Sequence, residues 1–465
     1  MPKRVSVVGL GKLGASMAAG IASRGIEVIG VDVNHAAVDA VNAGHAPVQE
    51  TGLEELVAAN RPRLRATLNH AEAIRESELT FVIVPTPSDE RGAFSLQYVA
   101  YAFREIGRAL AQKTAYHTVV LTSTVLPGAT RHGLIPILER FSGKRCGEGF
   151  GFCYSPEFVA LGSVIRDFLN PDFLLIGEYD PGSGDRLEAC YREIMAHAPA
   201  VARMSLENAE LAKISVNAFV TTKITFANML ADICGRLPGG DVDVVSNAIG
   251  LDSRIGRKYL TGGLGYGGPC FPRDNVALAF FAAAVGARAD LPVTTDKLNR
   301  AVASRAIDYV SALADPESTI AVLGLSYKPA SHVVEESQAI QLVKALVDRH
   351  YRVVAYDPLA GREANQELGG RALVLDSIAA CLQGADLVLI TNADPEFKRL
   401  TPADFTDGRR EVIVVDFWRV LAPALSGAPG IRYIPYGCGT ELAGAVSNRL
   451  SELWAGTAAS HVEGV

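Results

Sequence analysis

Short apolar runs dominate the first 180 residues: Arg4 to Gly9 (RVSVVG), Ile26 to Val33 (IEVIGVDV), Thr80 to Val84 (TFVIV), Thr118 to Thr122 (TVVLT), Gly151 to Tyr154 (GFCY) and Phe173 to Ile176 (FLLI). They are rich in β-branched residues and separated by helix-length stretches, so the pattern predicts strands alternating with helices. Continuous rather than alternating apolar runs suit a parallel sheet covered on both faces. From Glu207 to Leu237 the pattern becomes one long helical stretch, ENAELAKISVNAFVTTKITFANMLADICGRL, free of proline until Pro238. The helical style is expected to continue to about residue 300. Strand-like runs then return at Thr319 to Gly324 (TIAVLG), Arg352 to Tyr356 (RVVAY), Leu387 to Ile390 (LVLI) and Glu411 to Val415 (EVIVV). The expected plan is α/β, helical spacer, α/β, with boundaries at 1–203, 204–303 and 304–450 and a loose tail over 451–465.

Composition narrows the class. A chain of 465 residues exceeds one ordinary core, and about 150 residues per domain gives two or three domains. A net charge of -7 and a pI near 5.8 provide no basic field, which excludes a nucleic-acid partner but leaves room for a small anion held locally. The 7 cysteines are an odd number and contain no C-x-x-C pair, which argues against a zinc knuckle and a disulfide framework. The N-terminal MPKRVSVVGLG lacks the form of a signal peptide, and no segment has the ~18 uninterrupted apolar residues of a membrane span. A reduced, cytoplasmic protein without a membrane partner is expected.

Gly9, Gly11 and Gly14 form G-x-G-x-x-G directly after a strand and at the start of a helix, and Asp32 ends the next strand. The first glycine permits the tight turn, the second lets backbone N–H groups approach a pyrophosphate, and the third lets helix and strand pack closely. Asp32 would accept from ribose hydroxyls. Its followers, Val33 and Asn34, offer no cation for a 2′-phosphate, so NAD is favoured over NADP. An ordinary αβ turn is the plainer alternative, but strand context and the spaced acid favour a nucleotide site. The second half repeats the plan, IAVLGLSYK then VVAYDP, with Asp357 matching Asp32, but Gly324, Tyr327 and Lys328 replace the triplet. A phosphate site or a decayed scaffold both fit that turn. The fold class is thus two Rossmann-like doubly wound domains joined by a helical spacer.

Lys213 and Asn217 are one turn apart on the long helix. Extending that stripe to Val220 and Ile224 predicts a face turned inward, where lysine and amide need partners; a snorkelling pair is the alternative. Glu157 in SPEF and Thr124 in STVLPGAT follow strand-like runs, where residues of such sheets face the ligand crevice; a solvated loop acid and a turn threonine are their plainer readings. Cys270 lies in GYGGPCFPRD, a segment with little to bury, flanked by glycines that give a substrate close access and followed by Arg273 and Asp274. Cationic or dipolar neighbours there would favour a thiolate nucleophile.

Taken in order, VGLGKLG, the Pro85-Thr86-Pro87 turn, STVLPGAT, SPEF, AELAKISVNAF, LDSRIG, GYGGPCFPRD and GLSYKP resemble the UDP-glucose and GDP-mannose dehydrogenases over nearly the whole chain. That resemblance implies NAD-dependent, four-electron oxidation of the C6 hydroxyl of a nucleoside-diphosphate sugar. It implies that Cys270 forms a thiohemiacetal and then a thioester, that Lys213 stabilises an oxyanion, and that Asn217 and Thr124 hold water or sugar. Glu157 is implied as base and Asp274 as an aid to proton handling. Lys12, Leu13, Pro85, Thr86, Thr124 and Arg273 join the glycines and Asp32 at the cofactor, and Phe158, Arg254, Tyr259, Gly267 and Lys328 join Glu157, Lys213 and Asn217 at the substrate. A homodimer or higher homo-oligomer is implied, with Arg254 reaching across it and the second α/β half binding the nucleotide sugar.

Two positions depart from the family pattern. Leu161 stands where relatives of the UDP-glucose type carry a second glutamate, and Glu335 in ASHVVEES stands where relatives carry an arginine near the cofactor. A carboxylate there repels pyrophosphate unless the loop is rearranged, so weaker NAD binding, to be relieved by Glu335→Arg, or a different closing group is expected. UDP-glucose is the expected substrate, with thymidine diphosphate glucose, GDP-mannose and N-acetylated sugars as alternatives. A two-electron hydroxyacid dehydrogenase and a catalytically weak nucleotide-sugar-binding protein remain as contrasting readings.

Overall fold

The structure, a computed structural model, describes residues 3–160, 162–406, 411–439 and 449–455. The chain divides into two compact units, one of Met1–Val216 with Phe280–Ala287 and the other of Asn217–Ala279 with Arg288–Val465.

In the first unit, β1 (Arg4–Val8), β2 (Glu27–Val31), β3 (Leu64–Thr67), β4 (Leu79–Val82), β5 (Thr118–Leu121), β6 (Gly151–Tyr154), β7 (Phe173–Glu178) and β8 (Ala200–Ser205) form one sheet. Its order is β3-β2-β1-β4-β5-β6-β7-β8. The first six strands are parallel and reverse direction of growth at β1, the doubly wound arrangement in which ligands sit beyond the strand carboxyl ends. Side chains alternate across the sheet, so Val5 and Val7 enter one core cluster with Ile21 and Phe81 while Val8 enters the other with Ile29, Phe103 and Phe152.

The expectation of a wholly parallel sheet fails at β7, which pairs antiparallel with β6, and β8 follows β7 in parallel. Among its described residues the link between β6 and β7 holds one helix, the 6-residue Val164–Leu169, whose Phe168 packs against Gly20. The pairing sets Cys153 opposite Glu178 and Tyr154 opposite Gly177, so the last residues of both strands lie side by side. Strands β3 and β8 escape the sequence reading because LRAT and AVARMS mix apolar with polar residues.

The second unit repeats the plan with β9 (Thr319–Leu323), β10 (Arg352–Tyr356), β11 (Leu373–Val374), β12 (Leu387–Ile390), β13 (Val412–Asp416) and β14 (Ile431–Pro435), in the order β11-β10-β9-β12-β13-β14 and parallel throughout. Ile320 and Val322 face one core cluster, Ala321 and Leu323 the other.

The helical region comprises Leu206–Arg236, Val242–Gly250, Phe271–Ala284 and Asp290–Ser311. In the long helix the inward positions are Ile214, Ala218, Thr221, Thr225 and Asn228; Lys213 is buried too, but Asn217, Val220 and Ile224 are only half-buried. The stripe expected from Lys213 to Ile224 is therefore rotated by one residue, because small and polar side chains take the close contacts that a strictly apolar reading assigns elsewhere. Residues 449–455 are helical with Trp454 exposed, and the remainder of the expected loose tail, 456–465, lies outside the described residues.

Candidate active site

The chain leaves β1 at Val8 and turns at Gly9, whose φ of +100° favours glycine. A Cβ at Gly14 would lie 1.8 Å from the Gly9 carbonyl oxygen, so the helix Lys12–Ser23 rests directly on the turn. Gly11 differs: a Cβ there would meet nothing within 4 Å. The result is an open cradle at the amino end of a helix, flanked by the half-buried Lys12 and Leu13. Asp32, just past β2, accepts the Leu10 N–H at 2.6 Å and the Asn34 N–H at 2.8 Å. A helix amino end with an unfilled glycine face fits a pyrophosphate, so these residues suit a dinucleotide. After β4, Pro85 is exposed and buried Thr86 donates to the Thr124 carbonyl at 2.8 Å, which fixes Thr124 at the end of β5.

Also in the first unit, Lys213 is 8% exposed; it donates to the Glu157 backbone carbonyl and lies 4.3 Å from the centre of the Phe158 ring. The SPEF segment extends β6, which places Glu157 and Phe158 against the second turn of the long helix. Burial pushes the Glu157 carboxyl up to about 7, and the nearby Lys213 charge only partly offsets it. A carboxyl in that range exchanges protons near neutrality.

In the second unit, Cys270 immediately precedes the helix Phe271–Ala284, and its carbonyl accepts the Asp274 N–H at 2.9 Å. It is the one exposed thiol among the seven cysteines, all of them described. Asp274 is 1% exposed, and its carboxylate accepts from the Asn217 amide at 2.6 Å and from Arg273 at 3.2 Å. Cys270 therefore stands at the amino end of a helix, the positive end of the helix dipole. Asn217, Cys270, Arg273 and Asp274 are thus brought together.

The glycines before Cys270 also have a packing task. A Cβ on Gly267 would lie 2.3 Å from the Glu336 carbonyl oxygen, and one on Gly268 (φ +82°) 2.5 Å from the Tyr327 ring. The Gly268 N–H donates to the Glu335 carbonyl at 2.9 Å. These glycines admit the 327–336 segment against the cysteine loop, a packing task that rests on contacts remote in sequence. The Tyr327 hydroxyl is raised to about 12 by burial, with a smaller contribution from the Cys270 charge. The Lys328 ammonium lies 5.8 Å from the Tyr327 ring centre. Glu335 itself is exposed. Leu161 lies outside the described residues.

Arg254 and Tyr259 stand apart from this group. The Arg254 side chain is 86% exposed and paired with Asp252, while Tyr259 is half exposed with a left-handed φ of +66°, strained for a tyrosine. Sequence reasoning missed the amides behind the cysteine loop. Asn228 holds the Gly263 N–H and the Leu264 carbonyl, Asn299 holds both backbone groups of Tyr266, and Asn275 bridges Thr221 and the Tyr266 hydroxyl. The available signal was Asn228, three helical turns from Asn217 on one face.

Comparison with known proteins agrees with this geometry. Residues 3–195 match the NAD binding domain of the UDP-glucose/GDP-mannose dehydrogenase family, residues 207–301 its central domain and residues 321–423 its UDP binding domain. The UDP-glucose 6-dehydrogenase AglM of Haloferax volcanii is 37% identical over 421 residues, 90% of this chain and 97% of that protein. A GDP-mannose 6-dehydrogenase of Azotobacter vinelandii is 35% identical over 89% of this chain and 97% of its own length. A solved UDP-glucose dehydrogenase from Pyrobaculum islandicum superposes with a TM-score of 0.83 at 32% identity, covering 94% of this chain and 98% of that one. With an open glycine cradle in an NAD-binding domain, a second doubly wound domain and a shared helical centre, the chain belongs to the UDP-glucose/GDP-mannose dehydrogenase family, the NAD-dependent nucleotide-sugar 6-dehydrogenases.

Proposed function

We propose that the protein oxidises the C6 hydroxyl of UDP-glucose to the carboxylate in two hydride transfers, through a covalent intermediate on Cys270. The observation that carries this reading is the exposed Cys270 thiol at a helix start, with Asp274 buried beneath it between Asn217 and Arg273. NAD, when bound, takes up one hydride in each oxidation. Cys270 sulfur adds to the C6 aldehyde, its proton passing to the new hydroxyl, and the thiohemiacetal becomes a thioester when its C–H hydride and its hydroxyl proton are lost. Water then replaces sulfur at the acyl carbon and returns the free thiol.

Lys213, buried beside Phe158, is suited to balance oxyanion charge, worth more in a dry setting. Glu157, with its carboxyl near 7, is suited to take the proton of the hydrolytic water. Gly9, Gly11, Gly14 and Asp32 are assigned to the cofactor, aided by Lys12, Leu13, Pro85, Thr86, Thr124 and Arg273. Phe158, Asn217, Arg254, Tyr259, Gly267 and Lys328 are assigned to the nucleotide sugar. A homodimer is part of the proposal: Phe219, Phe226, Met229 and Ile233 form an exposed apolar stripe on the long helix, and Phe219 is 64% exposed.

The deciding measurement is NADH formed per sugar consumed over a panel of UDP, thymidine diphosphate and GDP sugars, with Cys270→Ala and Cys270→Ser alongside. Two NADH per UDP-glucose, lost in both variants, is the expected result; one NADH, or indifference to the thiol, overturns it. GDP-mannose belongs in the panel because the Azotobacter and Haloferax enzymes are almost equally similar to this chain.

A further inference from the structure

Glu210 belongs to the AELAKISVNAF segment, but nothing in the chemistry above uses it. It is 0% exposed, and a buried carboxylate without a purpose is costly. Its two oxygens accept the Gly128 N–H at 2.6 Å and the Thr130 N–H at 2.9 Å. Those donors belong to the STVLPGAT loop, where Gly128 turns through φ +85° and the π-helical turn Ala129–Leu134 begins. The first N–H groups of a helix have no partner within it, and here a carboxylate from a different helix supplies one. Burial pushes the Glu210 carboxyl upward while these N–H groups pull it back.

The loop is held at both ends. At its base Thr86 holds the Thr124 carbonyl, and at its far end Glu210 holds Gly128 and Thr130. Glu207, one turn earlier, pairs with Arg131, but that contact is partly exposed and contributes little. Glu210 lies three residues before Lys213 on the same helix, so the clamp ties the Thr124 loop to the turn that carries Lys213.

We propose that Glu210 is a positioning residue that sets Thr124 relative to Lys213 and acts on turnover through Thr124. The proposal rests on the assignment of Thr124 and Lys213 to the site. Glutamine in place of Glu210 keeps the shape but turns an N–H donor toward one of the two backbone donors, so the clamp opens on one side.

The test is a double-mutant cycle of Glu210→Gln and Thr124→Val, reading kcat, KM and NADH affinity by fluorescence. Glu210→Gln is expected to lower kcat about 30-fold and to weaken NADH binding no more than Thr124→Val does, since the Gly9 to Gly14 turn is untouched. Added to Thr124→Val, it should cost less than about threefold more. Multiplicative losses, or a lowered melting temperature with kcat unchanged, overturn the proposal. If Glu210→Gln does not fold, Gly128→Ala disturbs the same loop from its other side and must show the same loss without additivity. Wild type yielding one NADH per sugar defeats the reading of the reaction, whereas additivity with two NADH defeats only the role of Glu210.

Discussion

After β1 the chain turns through Gly9 and leaves the face of Gly11 open; after β9 it turns through Gly324 and has Ser326 where Gly11 would stand. Both turns are pinned by the acid that follows the second strand of their unit, Leu10 N–H to Asp32 at 2.6 Å and Leu325 N–H to Asp357 at 2.7 Å. Beyond that bond they diverge. Asp357 is 6% exposed and also accepts from the N–H groups of Ser326, Leu359 and Ala360 and from the Ser326 hydroxyl. In front of Gly324 sits the Asn392 side chain, 2.6 Å from where a Cβ would be. The acid is therefore a clamp for the turn in both units, and only an unfilled second glycine leaves space for a pyrophosphate. A spaced acid alone does not mark a dinucleotide site.

The strongest way to break this comparison is Gly14→Ala, whose methyl would overlap the Gly9 carbonyl; no folded first unit is expected, checked by circular dichroism and protease resistance. Next, Gly11→Val should weaken NADH binding at least 100-fold, about 2.7 kcal/mol, with an unchanged melting temperature, whereas Ser326→Gly should leave NADH affinity alone. If Gly11→Val binds NADH normally, the open cradle is not the cofactor site. Third, Asp357→Asn should destabilise the protein by about 3 kcal/mol because buried donors lose their acceptor, while Asp32→Asn should cost about 1 kcal/mol of stability and about tenfold in NADH affinity. Urea titrations of both variants decide between them.

A smaller effect separates these clamped acids from Glu157, at the end of β6. Its carboxyl, raised to about 7 by burial, is protonated below that value and then unable to accept a proton from water. Single-turnover thioester hydrolysis should therefore fall about tenfold per pH unit below 7, and Glu157→Gln should flatten the profile. The same shift makes stability fall as pH rises from about 4.5, the ordinary value, to about 7, since the folded state holds the proton longer.

The strands built from continuous β-branched runs were legible in the sequence, as was the glycine turn, because local rules govern both. The antiparallel β7 was not, since an apolar run such as FLLI carries no mark of strand direction. Cys270, Asp274, Lys213 and Asn217 were legible as residue types at telling spacings, and the structure adds which of them touch: Asn217 with Asp274, Lys213 with the SPEF segment. The packing purpose of Gly267 and Gly268 was hidden because Tyr327 and Glu336 lie some 60 residues away in the chain. Glu210 was hidden for a like reason, its donors being 80 and 82 residues distant.

The first compact unit takes its residues from two separate stretches, with Phe280–Ala287 returning to it after the chain has entered the second. The helices Leu206–Arg236 and Phe271–Ala284 each begin in one unit and end in the other. For recombination between relatives, a single crossover therefore cannot exchange the cofactor-binding unit whole. A chimaera has to bring residues 280–287 from the same parent as residues 1–216, or it inherits two helices whose halves were shaped by different sequences.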